Sequence, residues 1–482
     1  MKKKIIYIGL IGSLTLTAGC ELLDPTEVVN PNLTEEAILA TSNPMVAWLA
    51  GVERQAAIVL NNYVTISEIA SDNYVNTKTF YNQSLDKLEI KFKDSDINAA
   101  QFAIADLRES AVYGLTKVLP ADENTTADQE AELYFFKGYA ELLAGELFVA
   151  LPAEPLGPAL APEENIRLAI EDFEKALTLT TNADRKAGYN IALARAYYRL
   201  GDKDNAKKYA DSAIAANPNY LRVVQFDDAN GPSNTMEDAI FDRNTFDDLQ
   251  PLPRLDFLDP KYNGTGDTAD PIAILKIEEA HLILAEAALA NNQLEVAKGS
   301  MKNAVSVVKA RQVETFNDAA EGRPQATPPS VSAGDRPDQA GILVAASPAG
   351  ALRAGLVLNR QAGAVTVPAV SGTSVTPAEI DALSSEDAAL QTLYLMRQEV
   401  FIAEGRRMVD LGVRFPVSEV EALSNPLITN EQTQAFVPSF IPEGGVIDQF
   451  TYDKSAKTVV IDVNLNRVLV ENKTSPAVLP FH

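Results

Sequence analysis

Residues 187–218 constrain the fold more than any other stretch, because their pattern predicts two short helices joined by a turn. Small and apolar residues recur at steps of three and four in both halves, as expected for helices with one packed face. Gly201 and Asp202 separate the halves, and Pro218 closes the unit. The residues that define the two faces are Leu193, Ala194 and Tyr197, then Ala206, Ala210 and Ala213. This pattern predicts two antiparallel helices at close approach.

The order of these residues resembles a tetratricopeptide repeat, whose small residues allow two antiparallel helices to pack closely. A weaker copy runs from Leu284 to Val305 and aligns without gaps with residues 193–214, at an offset of 91 residues. That offset is not a multiple of the 34-residue repeat, so a non-repetitive segment must intervene. The sequence therefore predicts a mainly α fold, a tetratricopeptide-like right-handed superhelix with long irregular insertions and a small C-terminal β-hairpin.

The expected organisation is one domain, 35–482, preceded by a signal peptide at 1–19 and a tether at 20–34. Its helix pairs are predicted at about 129–179, 187–218 and 276–309 with 377–411. Three segments rich in Pro, Gly, Asn or Asp are predicted to be irregular, and long loops of this kind usually carry function: they are 219–272, 312–376 and 412–482.

The N-terminus indicates export. Three lysines precede an apolar stretch from Ile5 to Leu16, which is too short to span a bilayer and is typical of a secretory signal. Ala18 and Gly19 stand directly before Cys20, the only cysteine, and this arrangement resembles a bacterial lipobox. Cys20 is therefore predicted to be lipidated and to become the first residue of a mature chain held at a membrane through acyl chains.

Composition excludes several classes of function. The chain has 66 acidic and 41 basic residues, a formal net charge of −25, which argues against nucleic acid as a partner. One cysteine and two histidines leave too few ligands for a usual zinc site, and the acidic clusters are interpreted as solvated loops, so no metal or cofactor is expected. No HExxH, GxSxG or P-loop motif is present, so the chain is predicted not to be an enzyme. A hydrolase that uses two carboxylates stays open, because acidic residues are so numerous.

A helix is predicted from about Pro377 to Leu411. At about 100° per residue, Glu404 and Arg407 fall within its apolar stripe, where either charge alone would be costly to bury. The two are predicted to form a structural ion pair.

The run AEGRRMVDLGVR at 403–414 resembles the C-terminal signature of the SusD/RagB family of Bacteroidota outer-membrane lipoproteins. Two further segments are similar to that family, EIASDNY at 68–74 and KIEEAHLILAEAAL at 276–289. The resemblance implies a surface-exposed, nutrient-binding lipoprotein of the outer membrane. It also implies that the chain passes a glycan or oligosaccharide to a SusC-like TonB-dependent transporter.

Carbohydrate sites combine aromatic faces with polar side chains, so loops that mix the two are the candidates for ligand binding. The best is 72–82, and the others lie near 243 and 262. The candidate residues are Asn73, Tyr74, Asn76, Phe80, Tyr81, Arg243 and Tyr262. Few aromatics lie outside helices, so a peptide or another polar nutrient stays open as the ligand. The alternative function is an outer-membrane tetratricopeptide adaptor that binds only proteins.

Overall fold

A computed structural model of the chain describes residue 39 and the ranges 41–77, 79, 81–242, 248–264, 267–319, 336–442 and 444–482. The signal peptide, Cys20 and the tether lie outside the described residues, as do Phe80 and Arg243. No helix in the described ranges is both long enough and apolar enough to cross a membrane.

The N-terminal half is helical. Its helices are α1 (Pro44–Ile69), α2 (Gln83–Asp86), α3 (Ser95–Tyr113), α4 (Leu119–Ala121), α5 (Ala127–Leu147), α6 (Pro162–Leu179), α7 (Ala183–Arg199) and α8 (Lys203–Ala216). Side-chain caps explain where several begin, since Thr126, Asn182 and Asp202 each accept a backbone N–H of the first turn. Gly201 has φ +71°, which turns the chain between α7 and α8.

The C-terminal half alternates helices with short strands. Its helices are α9 (Thr235–Glu237), α10 (Ile277–Leu289), α11 (Leu294–Ala310), α12 (Pro377–Asp381), α13 (Glu386–Val400), α14 (Arg407–Asp410), α15 (Glu419–Ser424) and α16 (Leu465–Glu471). Neighbouring helices pack in sequence, α5 on α6, α7 on α8 and α10 on α11. Helix α10 also contacts α8 and α13, so the array continues across the segment between β4 and β6.

The strands are short and form five small sheets in the described ranges. They are β1 (Tyr74–Asn76), β2 (Leu151–Pro152), β3 (Ala159–Leu160), β4 (Leu221–Val224), β5 (Leu249–Pro251), β6 (Ile272–Lys276), β7 (Val313–Asn317), β8 (Leu343–Ala345), β9 (Leu352–Arg353), β10 (Ala364–Pro368), β11 (Phe450–Asp453) and β12 (Thr458–Ile461). Strands β11 and β12 form the expected C-terminal hairpin, and β12 also pairs in parallel with β8. The mainly α fold class is confirmed.

The continuous helix expected from 377 to 411 is wrong. Helix α13 ends at Val400, and a turn separates it from the single helical turn α14. Ala403 and Gly405 in this turn have φ of 59° and 68°, a left-handed conformation that an α-helix does not contain. A Cβ at Gly405 would lie 2.6 Å from the Tyr63 ring, so glycine is required there. The turn changes the direction of every side chain after Val400.

Candidate functional site

The candidate ligand segment 72–82 begins where α1 ends. Strand β1 pairs antiparallel with β5, with Tyr74 opposite Pro251 and Asn76 opposite Leu249. Thr77 donates its backbone N–H to the Asp248 carbonyl at 2.9 Å, which extends the pairing. The structure therefore places segment 72–82 directly beside residues 248–251, which follow the candidate region near 243 in the sequence.

Four of the candidate residues face the interior rather than a ligand. Tyr74 and Tyr262 are buried, and the Tyr262 hydroxyl donates to the Ala403 carbonyl at 3.1 Å. Asn73 Nδ2 donates to Glu68 Oε2 at 2.7 Å, and Asn76 Nδ2 donates to the Tyr81 carbonyl at 3.1 Å. This corrects the expectation for these four residues. Asn73, Tyr74 and Asn76 lie in or next to β1, where the chain after α1 forms a buried strand and not an open loop. Tyr262 is held against the turn that contains Ala403.

Tyr81 is the candidate that the structure leaves on the surface. Its side chain is 42% exposed, and its hydroxyl donates to Asp96 Oδ1 at 2.7 Å. Burial raises the pKa of Asp96, whereas the Tyr81 hydrogen bond opposes that shift. An aromatic ring beside a carboxylate is a combination that suits a polyhydroxylated ligand.

A cleft of about 790 Å³ was missed by the sequence interpretation. Helix α1 contributes Glu53 and Arg54, strand β4 contributes Arg222, and the loop at 225–232 closes one side. Arg54 Nε donates to the Gly231 carbonyl at 3.0 Å, and Arg222 packs over the Phe135 ring with its guanidinium carbon 3.9 Å from the centroid. None of the predicted ligand residues that the structure describes lines this cleft, and the loop carried only a turn signal in the sequence.

The three segments quoted for the family resemblance meet in one buried place, which we call the signature junction: residues 68–73, 276–279 and 404–407. Arg407 makes hydrogen bonds to both carboxylate oxygens of Asp72, at 2.6 and 3.1 Å. Gly405 N–H donates to Glu68 Oε1 at 2.7 Å, and Arg406 pairs with Glu279. The segments that resemble the family therefore hold one another together in the folded chain.

The predicted ion pair between Glu404 and Arg407 is wrong. Glu404 Oε1 instead accepts from Lys276 at 2.6 Å and also pairs with Lys261. Arg407 pairs with Asp72 and donates to Asn466 Oδ1 at 2.9 Å. Both charges are buried and paired, as expected, but the turn at 401–405 directs them to different partners.

A second buried charge cluster joins α5 and α7 to the C-terminal helices. Asp410 accepts from Arg397 at 2.8 and 2.9 Å and from Arg199 at 3.0 Å. Glu146 accepts from Arg199 at 2.8 Å and pairs with Arg195. Burial alone would raise the pKa of Asp410, but Arg397 and Arg199 hold it well below its usual range. The carboxylates of this cluster therefore stay ionised, and the cluster stabilises the array.

Two carboxyl groups with few partners lie beneath the candidate segment. Asp86 and Asp448 are buried, and Asp86 Oδ1 and Asp448 Oδ2 make no hydrogen bond within the described part of the chain. Burial, with Asp448 nearby, raises the pKa of Asp86 to about 8, and burial raises the pKa of Asp448 to about 7 although Arg336 opposes it. Near neutral pH the pair therefore retains protons that an exposed pair would release.

Asp86→Asn is expected to weaken the pH dependence of stability. Between pH 5 and pH 8 the folded protein keeps protons on Asp86 and Asp448 that the unfolded chain has lost, so stability falls as pH rises. The variant removes one of these groups, and its loss of stability over this range should be smaller by on the order of 2 kcal/mol. Urea unfolding at pH 5 and pH 8 measures the difference. Asp211→Asn, at an exposed carboxylate, should behave like the unmodified protein, and equal pH dependence in all three would contradict the assignment.

No group of three or more His, Cys, Asp or Glu side chains within the described ranges is arranged to hold a metal ion. The acidic loop at 227–228 uses its first carboxylate internally, since Asp227 accepts the backbone N–H groups of Ala229 and Asn230 at 3.0 Å. Asp270 likewise accepts the Asn263 N–H at 2.7 Å.

The fold of this chain is similar to that of several solved structures. A SusD superfamily protein from Bacteroides fragilis superposes with a TM-score of 0.52 over 82% of this chain and 100% of its own, at 16% identity. The chain has the SusD-like fold. A SusD superfamily protein from Bacteroides thetaiotaomicron gives a TM-score of 0.53 at 13% identity over 82% of this chain and 99% of its own.

A protein described as a putative sugar binding protein, from Bacteroides vulgatus, also gives a TM-score of 0.53, at 14% identity over 81% of this chain and 98% of its own. No family model and no curated protein matches the sequence. At these identities the SusD-like neighbours establish the fold alone.

Proposed function

We propose that the chain is a lipid-anchored protein of the outer membrane, exposed at the cell surface, that binds a glycan, an oligosaccharide or another polar nutrient and delivers it to a SusC-like TonB-dependent transporter. The SusD-like fold over about four fifths of the chain carries this proposal, together with the sugar-binding description of one neighbour. The proposed role is binding rather than catalysis. Cys20 is the proposed lipidation site.

Tyr81 is the described residue that we propose as the contact with the sugar. Its exposed ring offers a face for stacking, and Asp96 beside it offers an acceptor for hydroxyl groups. Because β1 pairs with β5 and Asn76 of β1 donates to the Tyr81 carbonyl at 3.1 Å, the Tyr81 backbone is tied to a hydrogen-bonded strand. Phe80 and Arg243 lie outside the described residues, and we propose them as further ligand-binding residues on the sequence pattern alone.

Tyr81→Ala is expected to weaken glycan binding about tenfold, since loss of an aromatic face costs on the order of 1 kcal/mol. A neutral glycan array on the soluble form that begins after Cys20 identifies the ligand, and calorimetry then measures the affinity. Tyr81→Phe keeps the ring and should retain most of the affinity. If the alanine variant binds the identified glycan as tightly as the unmodified protein, Tyr81 is not in the site.

Delivery to a transporter is tested by purification from membranes. The unmodified chain should co-purify with a large TonB-dependent barrel, and a Cys20→Ser chain should disappear from the membrane fraction while it keeps its glycan affinity. Purification with envelope-assembly proteins and no barrel would favour the adaptor function instead. Release of sugar fragments during the binding assay would contradict the proposed absence of catalysis.

A further inference from the structure

A second cavity, of about 360 Å³, lies between the segment 344–356, helix α13 and the start of α16. Its polar lining is supplied by Arg254, Arg353, Ser374, Glu399, Asn464 and Asn466. The volume is at the lower end of the range for small-molecule sites, about 300–1,000 Å³. Asn73, Tyr74, Asn76 and Tyr81, the described candidates from segment 72–82, do not line it.

Arg254 is the unusual residue of this cavity. It is only 6% exposed, yet among the described residues its guanidinium has no hydrogen-bond or ion-pair partner. Burial lowers the pKa of Arg254, and Arg407 and Arg353 add to that shift against the opposing effect of Glu399 and Asp72. An arginine nevertheless remains protonated in a protein. A buried cation that faces a cavity without a partner is costly unless something else pairs with it.

The nearby carboxylates are already occupied. Glu399 accepts from the Thr373 hydroxyl at 2.7 Å, from the Ser374 N–H at 2.9 Å and from the Ser374 hydroxyl at 2.6 Å. Asp72 is held by Arg407. Of the three arginines among the described lining residues, Arg353 pairs with Glu379 and Arg467 pairs with Glu471. Arg254 is therefore the lining arginine whose charge no described carboxylate pairs with.

We propose that this cavity is a subsite for the carboxylate of an acidic sugar residue, with Arg254 as its anchor. The planar fork of a guanidinium matches a carboxylate with two parallel hydrogen bonds. Asn464, Gln391 and Thr392 also line the cavity and provide the hydrogen-bonding groups that ring hydroxyls need. Glu399 disfavours a doubly charged phosphate. The sugar assignment rests on the proposed function, whereas the carboxylate site rests on Arg254 alone.

Calorimetry on the full chain in detergent tests the site, with D-glucuronate as the probe and D-glucose as its neutral counterpart. Glucuronate is expected to bind at least tenfold more tightly than glucose, and Arg254→Gln is expected to remove that preference. Arg54→Gln, at the guanidinium of the larger cleft, should leave it unchanged. Equal affinity for the two sugars, or a preference that survives Arg254→Gln, would overturn the proposal.

Acetate as a probe distinguishes a site for an acidic sugar from a site for simple carboxylates. It should bind at least tenfold more weakly than glucuronate, because it lacks the hydroxyl groups; equal binding would overturn the sugar assignment and leave a site for simple carboxylates. Glu399→Gln provides an independent test if Arg254→Gln does not fold. Removal of that negative charge should tighten glucuronate binding several-fold, and unchanged or weaker binding would contradict the site. Neutral-glycan binding and transporter purification are measured separately, so failure here is distinguishable from failure of the proposed function.

Discussion

Asp410→Ala is expected to lower the free energy of unfolding by about 3–5 kcal/mol, because removal of one partner from a buried ion pair leaves the other charge uncompensated. The Arg397 guanidinium is 1% exposed, and the Asp410 carboxylate accepts two charge-assisted hydrogen bonds from it, at 2.9 and 2.8 Å. Arg199 would lose one partner but keep Glu146. Urea unfolding followed by circular dichroism measures the change.

Asp211→Ala is the matched control for Asp410→Ala. Asp211 pairs with Lys207 at the i,i+4 spacing within α8, but the two side chains are 53% and 58% exposed. Exposed pairs of this kind contribute about 0.3–0.5 kcal/mol, so the control should change stability little. The Asp410 contribution should persist at neutral pH and disappear only in strong acid, since its folded pKa lies below the usual value. Equal effects of the two variants would show that the buried cluster does not stabilise the fold.

Glu404→Gln is expected to destabilise the protein by a similar amount, about 3–5 kcal/mol, for a different reason. Lys261 and Lys276 are 3% and 1% exposed, and both point at the same Glu404 oxygen. Their other bonds go to backbone carbonyls, from Lys261 to Ile402 at 3.1 Å and from Lys276 to Val400 at 2.5 Å. The variant therefore leaves two buried ammonium groups that only neutral oxygens solvate.

The pH dependence of Glu404→Gln distinguishes this charge effect from a packing defect. Burial lowers the pKa of Lys276 to about 8 even with Glu404 present, and without that carboxylate the pKa falls further. A lysine with a depressed folded pKa makes stability rise with pH, because the folded protein releases a proton that the unfolded chain keeps. The deficit of the variant should therefore shrink as the pH rises to about 8, where Lys276 loses its proton in the unmodified protein as well, and stay constant above it.

The double variant Glu404→Gln, Lys276→Met provides a second test of the charge effect. Removal of one of the two unpaired charges should recover part of the lost stability, since apolar replacements of buried ion pairs are often tolerated. A deficit that does not change with pH, together with no recovery in the double variant, would contradict the charge interpretation.

Local pattern made the helical array predictable. Helices α7 and α8 and the turn at Gly201 follow from spacings within 32 residues, and the hairpin of β11 and β12 follows from a short alternation of polar and apolar residues. The prediction of one helix over 377–411 failed at two breaks, between α12 and α13 and between α13 and α14. Because a helical wheel assumes one continuous helix, a left-handed Ala403 and Gly405 were enough to invalidate the directions of Glu404 and Arg407.

The candidate site was predictable only in part. Tyr81 lies at the surface as expected, but the amides of Asn73 and Asn76 are used inside the protein, because β1 pairs with a strand about 175 residues away in sequence. Arg254 gave no signal at all. An arginine within PLPRLD is ordinary in a sequence, and only the packing of distant segments around it makes it a buried cation that faces a cavity.

The sequence by itself therefore determined the elements that depend on neighbouring residues: the paired helices, the turns between them and the residues of the family signature. Only the tertiary structure decided how buried charges are paired. Arg407 meets Asp72 across 335 positions, Glu404 meets Lys276 across 128, and Arg406 meets Glu279 across 127. The physical reason is that helix formation depends on contacts three and four residues apart, whereas a buried charge takes the partner that the packed chain brings within hydrogen-bond distance.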